Sequence, residues 1–170
     1  RNLQPTDLPL GAEQTLGALT ADAALRAAQQ VILAGGIVAV KGVGGFHLAC
    51  DASNDHAVQT LRQRKQRSDK PFAVMAWDVD AVRQFAEVNE QEARLLTSRE
   101  RPIVLLRKKA DCALSAFVAP GNSTVGVMLP YTPLHYLLLH ADPPLDLATS
   151  PKPKVKILVM TSGNNSNEPI

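Results

Sequence analysis

Apolar residues occur along the chain in two alternating patterns. Short, mostly apolar runs are typical of buried strands, and they occupy residues 37–40, 46–50, 72–77, 103–106, 125–129 and 156–160. Between these runs, apolar residues recur at helical spacing, which predicts helices over residues 21–34, 54–65, 79–85, 90–96 and 133–140. The run 37–40 is apolar at every position, and we therefore expect it to form a central strand.

Small polar residues and glycines mark the ends of the predicted helices. Residues whose side-chain oxygens cap helix N-termini precede each one, and these are Thr20, Ser53 or Asn54, Asp78, Asn89 and Thr132. Gly35-Gly36 ends the first helix, and Pro133 suits the first turn of the last one. Strands and helices mixed along the chain predict an α/β fold, with an open sheet and helices on its faces.

A chain of 170 residues is long enough for one hydrophobic core. Residues 1–20 are rich in turn-forming residues, and we expect them to be a lead-in or linker from a preceding domain. Residues 21–170 are expected to form the domain itself. The chain starts at Arg1 and stops within what reads as a loop, so we expect a fragment that is truncated at the C-terminal end of this domain.

Composition is that of an ordinary globular protein, with 45% hydrophobic and 20% charged residues. The net charge of +2 is unevenly distributed: residues 1–60 carry three basic and five acidic residues, and residues 61–170 carry fifteen and eleven. The basic excess lies in short runs. A phosphate-bearing partner must therefore be held by a local cluster, because the overall charge is too small to steer nucleic acid strongly.

Cysteine and histidine spacing excludes the common metal sites. Cys50 and Cys112 lie 62 residues apart with no CxxC pair, which excludes a zinc site or a dense disulfide framework. His135 and His140 are five residues apart and miss the i, i+4 spacing of a helical metal site, so we predict no metal ligands in this chain. No apolar run reaches the roughly 18–20 residues that cross a bilayer. We expect a cytoplasmic protein without a membrane partner.

The segment KGVGGFH (residues 41–47) is rich in glycine and follows the first predicted strand. Glycines let backbone amides approach a ligand closely, as in phosphate-binding loops. The segment does not match GxGxxG, because His47 stands at the third glycine position, and the chain has no GxxxxGK[ST]. A tight turn between two strands is the alternative. Lys41 favours a binding loop, because a lysine that ends a strand can extend its ammonium into a cleft while its stem stays packed.

Residues 62–70 (RQRKQRSDK) include five basic residues between a predicted helix and a predicted strand. Lys65 and Arg67 are two positions apart, so they converge on one ligand only if the helix ends between them. Pro71 favours such an ending, because the residue before a proline avoids helical geometry. The run is either a solvated helix terminus that complements the helix dipole, or a triphosphate clamp of arginine forks and lysine charge.

The segment TSGNNSNEP (residues 161–169) follows the last predicted strand. Its hydroxyl and amide side chains, next to a glycine, are suited to hydrogen bonding with phosphate oxygens or a ribose. Without further context, an ordinary loop is the simpler interpretation.

Four separated blocks in one order resemble a known family. The blocks are KGVGGFHLACDA, LRQRKQRSDKPFAVM, VGVMLPYTPLHYLL and VMTSGNNSNEP, within residues 21–170. They closely resemble the YrdC-like domain of the HypF carbamoyltransferases of hydrogenase maturation. The wider YrdC family, which includes threonylcarbamoyl-adenylate synthases, shares Lys-x-Arg and Ser-x-Asn elements, here Lys65–Arg67 and Ser162–Asn164. The resemblance implies a twisted open mixed sheet with a concave, basic cavity that holds ATP or an acyl-adenylate.

The resemblance also implies an ATP-dependent carbamoyltransferase. Carbamate, made from carbamoyl phosphate elsewhere in the whole protein, attacks the α-phosphate of ATP to give carbamoyl-adenylate and pyrophosphate. The carbamoyl group then passes to the C-terminal cysteine of HypE, towards the cyanide ligands of nickel–iron hydrogenase. The implied ATP and carbamoyl-adenylate site consists of Lys41, Phe46, His47, Lys65, Arg67, Lys70, Ser162 and Asn164.

Within that implied site, the expected roles differ. Lys65 and Arg67 are the expected catalytic residues and neutralise phosphate charge. Ser162 and Asn164 are expected to contact phosphate or ribose, and the carbamoyl end is expected near Lys41 and His47. Mg²⁺ is expected to accompany ATP, with no carboxylate cluster that identifies its ligands.

Two departures separate the chain from the threonylcarbamoyl branch. Residues 41–47 replace a Thr-Glu-Thr-like segment, and Met128 stands where that branch has an arginine before the proline turn. Both features are of the HypF type. Whole HypF proteins also contain an acylphosphatase-like domain, zinc-finger motifs and a large metal- and nucleotide-binding domain, so zinc is expected only there, and these domains are expected partners.

Three other functions remain open at this point. The first is threonylcarbamoyl-adenylate synthesis for tRNA modification. The second is binding of double-stranded RNA without catalysis, an activity that has been associated with the fold, although the modest charge of this chain disfavours it. The third is a scaffold domain that only docks its neighbours and HypE.

Overall fold

The computed structural model describes residues 21–140 and 156–164. The helices are α1 (Ala21–Leu33), α2 (Asp55–Arg64), α3 (Val79–Arg83), α4 (Glu90–Thr97) and α5 (Pro133–Leu139). The strands are β1 (Val38–Lys41), β2 (Phe46–Asp51), β3 (Ala73–Ala76), β4 (Val104–Arg107), β5 (Thr124–Met128) and β6 (Ile157–Ser162). Every predicted element is present within two residues of its expected bounds. The predicted linker 1–20, with the cap Thr20, lies outside the described residues.

Side-chain caps begin four of the helices at the predicted residues. Asn54 accepts a hydrogen bond from the backbone of Ala57, so Asn54 rather than Ser53 caps α2. Asp78 and Thr132 cap α3 and α5 in the same way. Asn89 forms a full capping box with Glu92 at the start of α4. Such caps satisfy backbone N–H groups that have no partner inside the helix.

The strands form one six-stranded sheet in the order β1-β2-β6-β3-β5-β4. β3 and β5 pair in parallel, and the other neighbours pair antiparallel. The prediction of an open mixed sheet is therefore confirmed. The prediction that residues 37–40 form a central strand is wrong, because β1 lies at an edge. Only Val40 of this strand is buried, so the apolar run covers one face of an edge rather than both faces of a centre.

Helices pack on both faces of the sheet. One core lies under α2, α3 and α4 and includes Leu61, Phe85 and Val159. The other lies under α1 and α5 and includes Ile32, Leu139 and Met160. Gln29 of α1 ties the second layer together, because its side-chain amide donates to the carbonyl oxygens of Leu137 and His140.

The register of β2 and β6 places two expected site residues side by side. His47 is the partner of Ser162, and Ala49 is the partner of Met160. Side chains two residues apart on a strand share a face. His47 and Ser162 therefore lie on the α1 and α5 face, next to the α5 residues that pack there.

Candidate functional site

Helix α2 ends where the expected phosphate clamp begins. The last helical residue is Arg64, and Lys65 is the C-cap. Gln66 follows with a φ of 49°, in the left-handed region that is uncommon for residues other than glycine. The helix therefore ends between Lys65 and Arg67, as the clamp interpretation requires.

Lys65 joins the clamp to the loop after β6. Its side chain is buried, and its Nζ donates to the carbonyl oxygens of Ser162 at 2.7 Å and Asn164 at 2.6 Å. Burial and the neighbouring Arg67 charge lower the pKa of the Lys65 ammonium. Two segments that are nearly 100 residues apart are thus held together by one cation whose charge is poorly solvated.

Arg67 lies against the turn that leads into β3. Its Nε donates to the Lys70 carbonyl at 2.9 Å and its Nη2 to the Pro71 carbonyl at 2.5 Å. Its guanidinium also lies 4.8 Å from the centre of the Phe72 ring. Burial, followed by the charge of Arg62, lowers the pKa of Arg67. These contacts fix the side chain and use two of its five N–H groups.

Arg62 holds the same turn from its buried side. Its Nη2 donates to the Ser68 carbonyl at 2.9 Å, and both Nη atoms lie 3.2 Å from the Lys70 carbonyl. Phe72 is shared, since the Arg62 guanidinium lies 5.1 Å from the ring centre. The sequence offered a signal for this role: Arg62 follows the buried Val58 by one helical turn, on the inner face of α2.

Lys70 contacts the arginines of the clamp through its backbone. Its residue is exposed, and the described contacts involve its backbone carbonyl, which accepts from Arg62 and Arg67. The expected role of the Lys70 side chain in ATP binding stays a prediction.

The glycine-rich segment forms the turn of the β1–β2 hairpin. The Gly42 amide donates to the Gly45 carbonyl at 2.7 Å, and Lys41 pairs with Phe46 across the hairpin. The segment therefore forms a strand-to-strand turn, and its role as a binding loop stays a prediction. Lys41 is exposed, with its Nζ 5.1 Å from the centre of the Phe46 ring. The lysine therefore lies at the sheet edge, against an aromatic ring.

The hairpin still contacts the loop after β6. Phe46 is 57% exposed, but its carbonyl accepts from the Gly163 amide at 2.8 Å. A Cβ on Gly163 would lie 3.2 Å from that carbonyl oxygen, so the close approach favours glycine. The three segments singled out in the sequence thus meet at one end of β2 and β6.

His47 packs closely on the hairpin turn. A Cβ on Gly42 would lie 2.6 Å from His47 ring atoms, so the absence of a side chain at Gly42 makes room for the imidazole. The buried Nδ1 of His47 has no hydrogen-bond partner among the residues that the structure describes. Burial lowers the pKa of His47. The ring is therefore neutral at pH 7 and can donate one hydrogen bond and accept another.

Sequence reasoning missed a series of ring contacts that runs from His47 to His135 and on to Tyr131. The His135 ring on α5 lies 6.4 Å from the His47 ring, and the Tyr131 ring lies 4.4 Å from His135. His135 is fully buried, and neither of its ring nitrogens bonds to another described residue. Burial, and then the His47 charge, lower its pKa to about 4. Both residues lie in the block VGVMLPYTPLHYLL, where the spacing of His135 from His140 indicates only that they do not form a helical metal site.

The described part of the chain offers no protein-built metal centre. Within residues 21–140 and 156–164, no group of three or more histidine, cysteine or carboxylate side chains could hold a metal ion. Both cysteines are free, and burial, with a smaller effect of Asp51, raises the pKa of the Cys50 thiol to about 12. No helix in these two ranges is long and apolar enough to span a membrane.

A known protein family matches the part of the chain that contains these site residues. The Sua5/YciO/YrdC family, described as telomere recombination, matches residues 30–170. The chain belongs to the Sua5/YciO/YrdC family. This YrdC-family chain is 54% identical over 139 residues to carbamoyltransferase HypF2 of Cupriavidus necator. That alignment covers 80% of the chain and 17% of HypF2.

Structural comparison agrees with the sequence comparison. A crystal structure of full-length HypF, in a phosphate- and nucleotide-bound form, matches with a TM-score of 0.75 and 46% identity over 89% of this YrdC-family chain and 18% of HypF. Threonylcarbamoyl-AMP synthase of Homo sapiens is 32% identical over 108 residues, which is 63% of this chain and 38% of the synthase. The resemblance to HypF carbamoyltransferases is therefore confirmed. The chain spans less than a fifth of the length of these HypF relatives.

Proposed function

We propose that this chain forms carbamoyl-adenylate from ATP and carbamate, as the YrdC-like part of a HypF-type carbamoyltransferase. The observation that carries the proposal is the bonding of Lys65 to the Ser162 and Asn164 carbonyls. It unites the two family elements next to His47, the register partner of Ser162. The 54% identity to a HypF carbamoyltransferase supports this chemistry over that of the less similar threonylcarbamoyl-AMP synthases.

The proposed step is a displacement at phosphorus. A carbamate oxygen bonds to the α-phosphorus of ATP, the bond from that phosphorus to the bridging oxygen of the β-phosphate breaks, and pyrophosphate leaves with the electron pair. Negative charge grows on the phosphoryl oxygens, so fixed cations accelerate the step. Lys65 and Arg67 supply these charges. Ser162 and Asn164 contact phosphate or ribose, with Lys70 at the rim.

The fit to a nucleotide rests on preorganisation. Arg67 is already held by two carbonyls and Phe72, so its remaining N–H groups are oriented before a phosphate arrives. Mg²⁺ would enter with ATP, bound mainly by phosphate oxygens and water, and would neutralise phosphate charge. The described residues offer no carboxylate cluster for it, and this mode of binding needs none.

The carbamoyl end of the adenylate would lie at His47. The Nδ1 atom is buried against Gly42, so Nε2 of the neutral imidazole would make the hydrogen bond to the uncharged –O–CO–NH₂ group, which offers both a donor and an acceptor. Lys41 and Phe46 lie next to it on the hairpin and would cover this end of the site. The carbamoyl group would then pass to the C-terminal cysteine of HypE. A reducing cytoplasm, where the two free cysteines are stable, is the proposed location.

ATP–pyrophosphate exchange tests this proposal through its co-substrate. The chain is assayed with ammonium carbamate, with bicarbonate alone, and with bicarbonate plus threonine, and a full-length HypF relative supplied with carbamoyl phosphate serves as positive control. We expect exchange that depends on carbamate. Exchange only with bicarbonate plus threonine would instead assign the chain to threonylcarbamoyl-adenylate synthesis.

The same preparation tests the nucleic-acid alternative. Arg62 and Lys65 of the basic run are buried, which removes two of its five cations from any flat phosphate-binding surface. We expect weak, nonspecific binding to duplex RNA. Tight, salt-dependent RNA binding that ATP does not displace, together with no exchange activity, would contradict the enzymatic proposal.

A further inference from the structure

A cavity of about 570 Å³ lies beside the His47–His135–Tyr131 row of rings. This volume is within the range of small-molecule sites. Its lining residues come from the segment before β4, the β5–α5 connection and α5, and they are Arg99, Arg101, Pro130, Tyr131, Thr132, Pro133, Tyr136 and Leu137. Tyr131 connects the cavity to the candidate site, because its ring contacts His135, whose ring lies 6.4 Å from His47.

The charge of this cavity is positive. Among the described residues that line it, Arg99 and Arg101 are basic and none is a carboxylate. The ion pairs of the described residues, Arg83–Asp80 and Arg94–Glu90, include neither arginine. Two guanidinium groups without a carboxylate partner favour a bound oxyanion, since arginine presents paired N–H groups to carboxylate or phosphate oxygens.

Arg101 is also held in an unusual backbone conformation. Its φ is 47°, and its Nη1 donates to the Leu96 carbonyl at 3.2 Å. The other non-glycine residue with positive φ in the described chain is Gln66, between Lys65 and Arg67. Such conformations are strained for residues with a side chain, and they concentrate at functional sites. A residue with positive φ therefore occurs both in the expected phosphate clamp and in the lining of this cavity.

The cavity walls suit a small ligand with a planar group. The Tyr131 and Tyr136 rings and two prolines form flat surfaces, and Thr132 contributes a hydroxyl. Burial raises the pKa of the Tyr131 phenol, so it stays protonated and can donate a hydrogen bond at neutral pH. Lys65 and Arg67 do not line this cavity among the described residues, and they are already assigned to the nucleotide phosphates.

We propose that the cavity lined by Arg99, Arg101 and Tyr131 binds a small oxyanion that carries the carbamoyl carbon towards His47. The inference rests on the proposed function for the identity of this ligand. The carboxylate form is carbamate, the co-substrate of the adenylation step, and the phosphate form is carbamoyl phosphate, from which carbamate is made. Both present oxygens to the same two guanidinium groups.

Anion titrations followed by ¹H–¹⁵N NMR test the inference directly. Trp77 is the one tryptophan of the chain, so its indole N–H gives a single signal, and its ring lies 5.5 Å from the Tyr136 ring of the cavity wall. Bicarbonate and inorganic phosphate are added at constant ionic strength, with chloride as the reference salt. We expect saturable shifts of the Trp77 indole and of the Tyr131 and Tyr136 amides. Bicarbonate as the stronger ligand indicates the carbamate form, and phosphate indicates the carbamoyl phosphate form.

Variants make the assignment specific. We expect Arg101→Gln and Arg99→Gln each to weaken anion binding at least tenfold, because each removes one fork of a paired site. Arg107→Gln, an exposed arginine on β4 outside the cavity, should leave it within twofold. Arg99 makes none of the hydrogen bonds recorded for the described residues, so Arg99→Gln keeps the test valid if Arg101→Gln disturbs folding.

The outcomes separate this inference from the proposed function. No saturable shift in the parent chain, or equal affinities in the parent chain and both cavity variants, overturns the cavity site even if ATP–pyrophosphate exchange is intact. Arginine-dependent anion binding without any exchange activity supports the site and counts against the adenylation proposal.

Discussion

Replacing Lys65 with methionine removes the cation that joins α2 to β6 while it keeps a stem of similar length. Lys65 is 6% exposed, and its ammonium bonds to the Ser162 and Asn164 carbonyls at 2.7 and 2.6 Å. Hydrogen bonds that involve a charged group contribute roughly 1.5–3 kcal/mol each. The substitution also ends the cost of burying the ammonium, so we expect a net loss of about 3 kcal/mol rather than the full value of both bonds.

Thermal unfolding followed by circular dichroism measures this loss. For a domain of this size, 1 kcal/mol corresponds to about 2–4 °C in Tm, so we expect Lys65→Met to unfold about 6–12 °C lower. The exposed Lys70→Met is the matched control and should change stability by less than about 0.5 kcal/mol. Equal melting temperatures for Lys65→Met and the parent chain would refute the reasoning that Lys65 ties the two segments together.

Two further predictions concern the histidine cluster. His135 has a folded-state pKa of about 4, against the ordinary value of 6.5, so between these pH values the unfolded chain binds one more proton than the folded chain. The free energy of unfolding is therefore highest above pH 6.5 and falls by on the order of 3 kcal/mol as the pH drops towards 4. Urea unfolding should show this slope in the parent chain and in the exposed His56→Gln, but a reduced slope in His135→Phe; an unchanged slope there would contradict it. Gly42→Ala sets a Cβ 2.6 Å from the His47 ring and should cost about 1–3 kcal/mol, whereas Gly44→Ala meets nothing within 4 Å and should be nearly neutral. Equal losses in the two glycine variants would show that His47 does not occupy that space.

The sequence predicted the elements well because their signals are local. Periodicity of apolar residues and side-chain caps such as Asn54 and Asn89 depend on neighbours a few positions away, and the structure reproduces them. The position of β1 in the sheet was not predictable in this way. An apolar run shows that a strand has apolar side chains, but the order of strands depends on pairings such as β2 with β6, between residues more than 100 positions apart.

In the candidate site, too, the features that depend on long-range contacts could not be predicted from local sequence patterns. The convergence of Lys65 with the 161–169 segment was expected from the family resemblance, and no local pattern indicates a contact between residues 65 and 162. Arg62, His135 and Arg101 were not singled out individually, because each looks ordinary in sequence. Arg62 is one cation in a basic run, and His135 lies on an apolar helix. Burial and long-range contacts distinguish them, and these appear only in three dimensions.

The central claim is that the end of α2 and the end of β6 form one phosphate site for adenylation. ATP–pyrophosphate exchange in Arg67→Ala tests it most directly, with the exposed neighbour Arg64→Ala as control. Loss of one preorganised group that stabilises developing charge typically costs 10²–10³ in rate. We predict a fall of that order for Arg67→Ala and a rate close to the parent chain for Arg64→Ala. Equal exchange rates for Arg67→Ala and the parent chain would contradict the claim.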